Sequence, residues 1–399
     1  MKLQKIAFRK HFLFGSIDID LINLNGKPLD TVVFAGNNGC GKTTLLVEIL
    51  ELITGTKDKE IGSFAILNMQ SLVDKNLLQP FSNDLAIEPN FVLNESGNAA
   101  SLLKKRITKI PEDERPKVIY LPAEISFDKL TVKEKAFDYK YSFKNVIDKK
   151  HINEIPTYIS SIIKDAVFKN EDLPAKTSIK KVCAEINQIF EDLEIDARLT
   201  GLAEEGEKLP VFANSAGASF DINGLSSGEK QLFARALTLR MVRANNSIIL
   251  VDEPEISLHP RWQQKILRVY ERIGKNNQVI IATHSPHILS ACGKESGFLL
   301  ARENGQVKVY NHQQLNSVYG KPVSVVLMDF MGLKSLRTPE VEQQFEELRQ
   351  MVRDKKTDSE PFKRKMAALI DVVGEIDEDM ILLKMELARF ASEKGGQNA

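Results

Sequence analysis

One glycine-rich segment, GNNGCGKTT at residues 36–44, constrains the fold of this 399-residue chain more than any other feature. The run TVVFA directly before it is β-branched and apolar, which predicts a buried strand. After it, Leu45, Leu46, Ile49 and Leu50 recur at the spacing of one helix face. A strand that continues into a helix through a glycine-rich loop is typical of folds that alternate strands and helices. The sequence therefore predicts an α/β fold organised around this loop.

The same segment matches the phosphate-loop pattern GxxxxGK[ST]. Glycines let consecutive backbone N–H groups turn toward phosphates, and the start of the following helix adds partial positive charge. Lys42 is expected to reach the β- and γ-phosphates, and Thr43 to offer its hydroxyl to Mg²⁺. The expected phosphate-binding residues are Gly36, Asn37, Asn38, Gly39, Cys40, Gly41, Lys42, Thr43 and Thr44.

A second apolar run, at residues 248–251, ends in two acids, Asp252 and Glu253. Ligands of open α/β sheets bind at the carboxyl ends of the strands, so both carboxylates are predicted to lie near the phosphate loop. Asp252 is expected to hold Mg²⁺ through water, and Glu253 to polarise an attacking water molecule. The alternative interpretation is that the two acids are a solvated strand end. The presence of the phosphate loop in the same chain makes this alternative less favoured.

Two further segments complete the candidate site. Residues 225–231 read LSSGEKQ, where hydroxyl and N–H donors at a helix start would form a second anion site. His284 follows the apolar run at 279–281 and therefore also lies at a predicted strand end. Taken singly, these would be an ordinary helix start and a structural histidine; their order around the two acids favours a functional role. The expected residues of the second anion site are Ser226, Ser227, Gly228 and Glu229.

The composition narrows the class of protein further. Lys plus Arg and Asp plus Glu number 54 each, so no overall charge favours nucleic acid or an anionic membrane. Cys40, Cys183 and Cys292 lack the spacing of a zinc site or a disulfide framework, which favours a reducing compartment. No apolar stretch reaches about 18 residues, and no signal-peptide pattern is evident. We therefore expect a cytoplasmic protein without a membrane segment.

The helical patterns suggest how the chain is divided. Between about residues 130 and 193 an insertion is predicted to hold two helices, the second with a two-heptad apolar stripe from Ile179 to Leu193. An amphipathic pair packed on the domain is the main interpretation, and a partner-binding lobe is the alternative. Thr338 and Pro339 predict the start of a helical tail. The expected division is 1–129 and 196–316 for the two parts of the lobe that carries these motifs, 130–195 for the helical insertion and 317–399 for the tail.

The order of these motifs resembles the ABC superfamily over nearly all of residues 1–290. The string DEPEISLHPRWQ at 252–263 resembles the OLD, RecF and SMC-like ATPases, closest to AAA-type ATPases of bacterial antiphage operons such as Septu, PARIS and retrons. The resemblance implies an ABC-type P-loop NTPase that uses ATP and Mg²⁺. It implies that Lys42, Glu253 and His284 act in hydrolysis, and that Thr43 and Asp252 hold the metal. It also implies a homo-oligomer, a dimer or larger, in which residues 226–229 engage ATP bound to the opposite subunit.

Several functions are compatible with this resemblance. The first is an ATP-gated sensor and scaffold that controls a separate effector, a nuclease or toxin, through the tail. OLD proteins continue into a Toprim nuclease, but no matching set of acids follows residue 300, so we expect no nuclease in this chain. The second is a DNA repair ATPase that clamps DNA through basic clusters at 104–106, 149–151 and 180–181. A transporter motor is disfavoured by the charged insertion and by Leu258-His259-Pro260.

Three assignments rest on position alone. The residue that stacks on adenine is expected to be Phe8, Arg9 or Phe14, near the first strand. No glutamine matches the ABC Q-loop, and Glu124 is the expected substitute. Whether Ser257 and His259 couple two nucleotide sites stays open.

Overall fold

A computed structural model describes residues 1–55, 62–78, 90–94, 98–170, 172–315 and 317–396 of the chain. The chain divides into two compact units, Met1–Val326 and Leu327–Ala399. Every candidate site residue lies in the first unit. The second unit begins later than the expected boundary at residue 317.

The strands of the described residues all lie in the first unit. In chain order they are β1 (Lys2–His11), β2 (Gly15–Asp20), β3 (Thr31–Gly36), β4 (Phe64–Asn68), β5 (Asn90–Asn94), β6 (Val118–Leu121), β7 (Lys144–Val146), β8 (Arg198–Leu202), β9 (Pro210–Ala213), β10 (Ser219–Asp221), β11 (Ile248–Asp252), β12 (Gln278–Thr283), β13 (Gly297–Glu303) and β14 (Gln306–Tyr310).

The described helices lie in both units: the first ten belong to the first unit, and the last three form the second unit. They are α1 (Lys42–Thr54), α2 (Gln70–Asp74), α3 (Asn98–Ile107), α4 (Lys149–Lys169), α5 (Ala175–Gln188), α6 (Ser227–Met241), α7 (Pro260–Gln263), α8 (Ile266–Arg272), α9 (Pro286–Ala291), α10 (Val323–Val325), α11 (Pro339–Arg353), α12 (Glu360–Val373) and α13 (Glu378–Gly396). Among the described residues, no helix combines the length and apolar character that crossing a bilayer requires.

A seven-stranded sheet forms the centre of the first unit, in the order β14-β13-β3-β12-β11-β6-β7. Only β14 runs antiparallel to its neighbour; the other described pairs in this sheet are parallel. Strands β3, β6, β11 and β12 are buried along their whole length, as expected for a parallel sheet covered on both faces. The register pairs Thr283 with Ala35 and Asp252 with Ala282, so β3, β11 and β12 end at one edge. That edge positions the candidate site.

Two smaller sheets flank the central one, a four-stranded antiparallel sheet β2-β1-β4-β5 and a three-stranded sheet β10-β9-β8. Helix α1 presents Leu45, Leu46 and Ile49 to a core shared with the central and four-stranded sheets. This arrangement confirms the α/β class and the ABC-type P-loop fold. It also places the phosphate loop where sequence predicted it, between a buried strand and an amphipathic helix.

The helical insertion is shorter than the expected 130–195. Residues 130–148 contain no helix, and β7 within them extends the central sheet by pairing with β6. Helix α4 starts only at Lys149, where the Asp148 side chain caps it in a capping box with His151. Helix α5 ends at Gln188, so the predicted two-heptad stripe is wrong in its last turn. Leu193 is instead buried in a short 3₁₀ turn.

The second unit confirms the expected helical tail. Helices α11, α12 and α13 pack around a small core. Thr338 and Pro339 stand at the N-cap and first helical position of α11 as expected, although the Thr338 side chain makes no capping hydrogen bond. Arg337 pairs with Asp377 and Asp379 and so ties the start of α11 to the start of α13. The core residues are Phe345, Leu348, Val352, Phe362, Leu369, Met380 and Leu383.

Candidate active site

The phosphate loop joins β3 to α1, and two of its glycines are required by their surroundings. A Cβ on Gly36 would lie 2.4 Å from the carbonyl oxygen of Leu300. Gly41 has a φ of 86°, and a Cβ there would lie 2.5 Å from a methyl carbon of Leu13. A side chain at Gly36 would force the backbone to shift. One at Gly41 would be strained in the left-handed backbone conformation and would displace the Leu13 side chain, which gives the glycine pattern a steric reason in this fold. Among the other loop residues, Cys40 is buried and Thr44 half-buried, while the exposed ones are Asn37, Asn38, Gly39 and Thr43.

Lys42 begins α1 and turns its ammonium group back over the loop. Its Nζ donates to the carbonyl oxygens of Gly36 at 2.9 Å and Asn37 at 3.1 Å. Burial lowers the pKa of Lys42, while Cys40 and Glu253 act in the opposite direction. The carbonyls are neutral acceptors, and a charged phosphate oxygen would accept a stronger hydrogen bond from the same ammonium. The position of Lys42 therefore suits a nucleotide.

Three predicted catalytic side chains form one continuous chain of contacts. His284 Nδ1 lies 3.3 Å from Lys42 Nζ, and His284 Nε2 lies 3.0 Å from Glu253 Oε1. An ammonium donates only, so Nδ1 accepts and the proton of a neutral His284 belongs on Nε2, facing Glu253. The structure thus brings together residues that are 242 positions apart along the chain.

Asp252 ends β11 with its carboxylate buried, at 2% exposure. Oδ2 accepts a hydrogen bond from the Tyr120 hydroxyl at 3.2 Å, whereas Oδ1 has no hydrogen-bond partner among the described residues. Burial raises the pKa of Asp252 and outweighs the opposing effects of the Thr43 and Tyr120 hydroxyls. A buried carboxylate oxygen without a partner beside a hydroxyl is a donor set that fits Mg²⁺, a hard cation that prefers oxygen.

Glu253 adopts a backbone conformation that is uncommon for a side-chain-bearing residue, with a φ of 42°. Its N–H donates to the carbonyl oxygen of Ala282 at 2.9 Å, which continues the pairing of β11 with β12 by one residue. Such a conformation persists only where the surroundings enforce it, and it is concentrated at functional sites. Here it directs the carboxylate toward His284.

The LSSGE segment lies at the start of α6. Ser226 caps the helix in a capping box, in which its N–H and hydroxyl donate to Glu229 at 2.9 and 2.7 Å. Ser226 and Ser227 are exposed, whereas Gly228 is buried against the Ser257 carbonyl oxygen. Within the described part of the chain, no hydrogen bond or ion pair joins residues 226–229 to the phosphate loop. The structure therefore does not bring the second anion site to the first within one chain.

Three residues that sequence reasoning missed hold the site together. Glu255 accepts hydrogen bonds from the segment that contains His284. Gln263 bridges the Leu258 carbonyl oxygen and the Ser285 hydroxyl. Arg235 of α6 donates to backbone oxygens at the ends of β6 and β11. The second acid of the DEPE string was a signal for Glu255, but no local pattern marks the other two.

The expected adenine-stacking residues are corrected by the structure. Phe8 and Phe14 are buried and stack on each other with ring centroids 5.0 Å apart, so neither face is open to a base. Arg9 is engaged by Asp18 and by backbone oxygens. Phe12, in the turn between β1 and β2, is 74% exposed and lies over the His11 ring. Its neighbour Leu13 approaches Gly41, as noted above, which places this turn beside the phosphate loop.

Glu124, the expected Q-loop substitute, is exposed in the segment that follows β6. That segment is held by α6, since Gln231 donates to the Ile125 carbonyl oxygen at 3.2 Å.

In the basic clusters considered for DNA, Lys104 donates to a backbone carbonyl and Lys149 pairs with an aspartate. Those two ammonium groups are therefore already engaged within the chain.

The parallel sheet, the phosphate loop, the Asp–Glu strand end and the histidine contact define an ABC-type P-loop ATPase. A family model described as "AAA domain, putative AbiEii toxin, Type IV TA system" matches residues 75–290, more than half of the chain. The chain belongs to this family.

Three curated relatives are similar to this chain. "Retron Ec83 probable ATPase" of Escherichia coli is 30% identical over 194 residues, which cover 45% of this chain and 34% of the relative. "Septu protein PtuA" of Bacillus thuringiensis is 35% identical over 101 residues, 25% of each protein. "Retron Vc95 probable ATPase" of Vibrio cholerae serotype O1 biovar El Tor is 24% identical over 375 residues, 73% of each. The matched segments thus span about a third of the first relative and a quarter of the second.

Proposed function

We propose that this chain binds ATP with Mg²⁺ and hydrolyses it at a site completed by a second copy of the same chain. One observation carries the proposal. The contacts from Lys42 through His284 to Glu253 lie beside the buried carboxylate of Asp252, at the edge of the sheet where the phosphate loop begins. This is the set of groups that phosphoryl transfer to water requires, a cation for phosphate, a metal ligand and a carboxylate for water.

Each residue has a role that follows from its position. Lys42 exchanges its carbonyl partners for phosphate oxygens, and the loop N–H groups add further donors. Thr43 and Asp252 hold Mg²⁺, which when bound neutralises charge on the phosphates. Glu253 accepts a hydrogen bond from the attacking water and withdraws its proton. His284 orients Glu253 through Nε2, and Lys42 places positive charge beside the terminal phosphate.

The exposed start of α6 supports the second copy's part in the site. Ser226 and Ser227 are exposed at a helix N-terminus, where the Ser227 hydroxyl and the backbone N–H groups of the first turn favour an anion, while Ser226 donates to Glu229. They make no polar contact with the phosphate loop of their own chain among the described residues. In a symmetric dimer the same two surfaces meet twice, so residues 226–229 of each copy would face the nucleotide of the other copy.

Phosphate release from Mg-ATP tests the hydrolytic part of this proposal. We expect Glu253→Gln to lower kcat by about 10²- to 10⁴-fold, the range for loss of a general base, and Lys42→Ala to lose ATP binding. Glu271→Gln is the matched control, because it makes the same substitution at a glutamate that accepts from the Thr31 hydroxyl, at the opposite end of β3 from the phosphate loop. Equal rates for wild type and Glu253→Gln would show that Glu253 is not the base.

We further propose that the ATPase regulates a separate effector protein, a nuclease or toxin, in antiphage defence. The names of the relatives support this class of function, and the second unit offers a docking surface. Its exposed apolar side chains adjoin acidic ones, which suits a partner with a basic amphipathic surface. The apolar residues of this surface are Val372, Ile376, Ile381, Leu382 and Met385, and the acidic ones are Asp371, Glu375, Glu378 and Glu386.

Co-purification with the product of the neighbouring gene tests the effector role. We expect a stable complex that is lost when Ile376 and Met385 are both changed to Glu. Phe168→Glu is the control, since Phe168 is also an exposed apolar residue but lies in the first unit. Absence of any complex with the wild-type chain would contradict the effector role and leave the ATPase proposal standing.

A further inference from the structure

Glu255 connects the ends of the two strands that form the candidate active site. Its Oε1 accepts three hydrogen bonds, from the Thr283 hydroxyl at 2.7 Å, the His284 N–H at 2.6 Å and the Ser285 N–H at 3.1 Å. Its other oxygen, Oε2, is buried without a hydrogen-bond partner among the described residues. One carboxylate oxygen thus accepts from a hydroxyl and two successive backbone N–H groups.

The consequence for His284 is geometric. Glu255 follows β11, whereas His284 follows β12, the neighbouring strand. The hydrogen bond to the His284 N–H fixes the backbone from which the imidazole extends between Lys42 and Glu253. A small backbone rotation at residue 284 would break one or both of the ring's contacts, which are 3.0 and 3.3 Å long.

We propose that Glu255 is a positioning residue for ATP hydrolysis, which holds residues 283–285 so that His284 stays in contact with Glu253. This inference rests on the proposed ATPase function. Hydrogen bonds to a charged acceptor are roughly twice as strong as neutral ones. A glutamine would keep one acceptor oxygen without the charge. An alanine would leave the His284 N–H and the Thr283 hydroxyl without their acceptor, while the Ser285 N–H would keep Thr283 Oγ1.

The kinetic test separates positioning from a general loss of stability. ATP affinity and kcat are measured for wild type, Glu255→Gln, Glu255→Ala, His284→Ala and the Glu255→Ala/His284→Ala double variant. We expect Glu255→Ala to lower kcat by about 10- to 100-fold with ATP affinity retained, and Glu255→Gln to fall between it and wild type. Because Glu255 acts through His284, the double variant should be no slower than His284→Ala alone.

Glu271→Gln again serves as the matched control, expected to keep wild-type kcat. Additive losses in the double variant, or wild-type kcat in Glu255→Ala, would overturn the inference. Should Glu255→Ala fail to fold, Glu255→Gln and its double variant with His284→Ala replace it in the same comparison.

Amide hydrogen exchange provides a readout that does not depend on turnover. We expect the His284 amide to exchange about 10- to 100-fold faster in Glu255→Ala, because it loses its acceptor, and the Ser285 amide to change less, because it also donates to Thr283 Oγ1 at 2.9 Å. Unchanged exchange would refute the positioning role. If the wild type releases no phosphate but its amides respond as expected, the ATPase proposal fails while the contact stands; if turnover is normal and the amides do not respond, only this inference fails.

Discussion

Arg235 offers the sharpest quantitative test of how helix α6 supports the candidate active site. This side chain on α6 is buried, at 3% exposure. Its guanidinium donates to the carbonyl oxygens of Ala123 at 2.7 Å, Pro122 at 3.0 Å and Asp252 at 3.4 Å. One cation thereby joins α6 to the ends of β6 and β11. Replacing it with methionine keeps much of the apolar volume but removes all three donors.

The expected loss of stability follows from those bonds. A hydrogen bond to a charged group contributes about 1.5–3 kcal/mol, and the two shorter bonds dominate, so Arg235→Met should cost about 3–6 kcal/mol. Arg240→Met is the control on the same helix, because Arg240 is 30% exposed and pairs with the half-exposed Glu185. A surface pair of this kind contributes about 0–1 kcal/mol.

Urea unfolding measures both variants. The fluorescence of Trp262, the single tryptophan of the sequence, reports on the first unit. We expect a clearly lower urea midpoint for Arg235→Met and a midpoint near wild type for Arg240→Met. Equal midpoints for the two variants would refute the view that Arg235 ties α6 to the strand ends.

Three further predictions concern the site itself. Gly228→Ala should lower the unfolding free energy by about 1–3 kcal/mol, because the new Cβ would lie 2.7 Å from the Ser257 carbonyl oxygen; an unchanged urea midpoint would contradict this. Burial raises the pKa of Asp252, so its carboxyl ionises at lower pH in the unfolded chain and native stability falls as pH rises through the raised pKa. Asp252→Asn should therefore be more stable than wild type at pH 7 without Mg²⁺, and its stability in urea titrations should depend less on pH. The variant should also release no phosphate. Lower stability than wild type would contradict the raised pKa of Asp252. Phe12→Ala should weaken ATP binding by about 5- to 100-fold, because stacking on the adenine base is lost, and should leave the binding of inorganic triphosphate unchanged. Equal ATP affinity for variant and wild type would show that Phe12 does not stack on the base.

The parts of the fold that follow from local patterns could be predicted from sequence. The run before Gly36 and the run before Asp252 are continuous and apolar because both strands are buried on both faces of the sheet. The order of these two runs relative to the glycine-rich loop was enough to predict the α/β fold class. The tail helices were predicted for the same reason, since their apolar spacing reflects a core that each helix contacts on one face.

The parts that depend on distant partners could not be predicted. Phe8 and Phe14 looked suitable for stacking on a base, yet they pack on each other inside the core, which a linear sequence does not reveal. Glu255 and Arg235 work through backbone groups 17 to 113 residues away. The prediction of the last turn of α5 was wrong. The apolar spacing continues through residue 193, but the backbone there forms a 3₁₀ turn instead of an α-helix.

The mass of Glu253→Gln in solution, with and without Mg-ATP, tests whether two copies of the chain assemble around bound ATP. A chain that binds ATP without hydrolysing it should accumulate as a dimer or a larger assembly, with bound ATP at the interface. Adding Ser227→Arg to the same chain should keep ATP binding but block assembly, because an arginine would obstruct the exposed start of α6. We expect an ATP-dependent assembly that the second change abolishes. Bound ATP on a chain that remains monomeric, or assembly that survives Ser227→Arg, would contradict it.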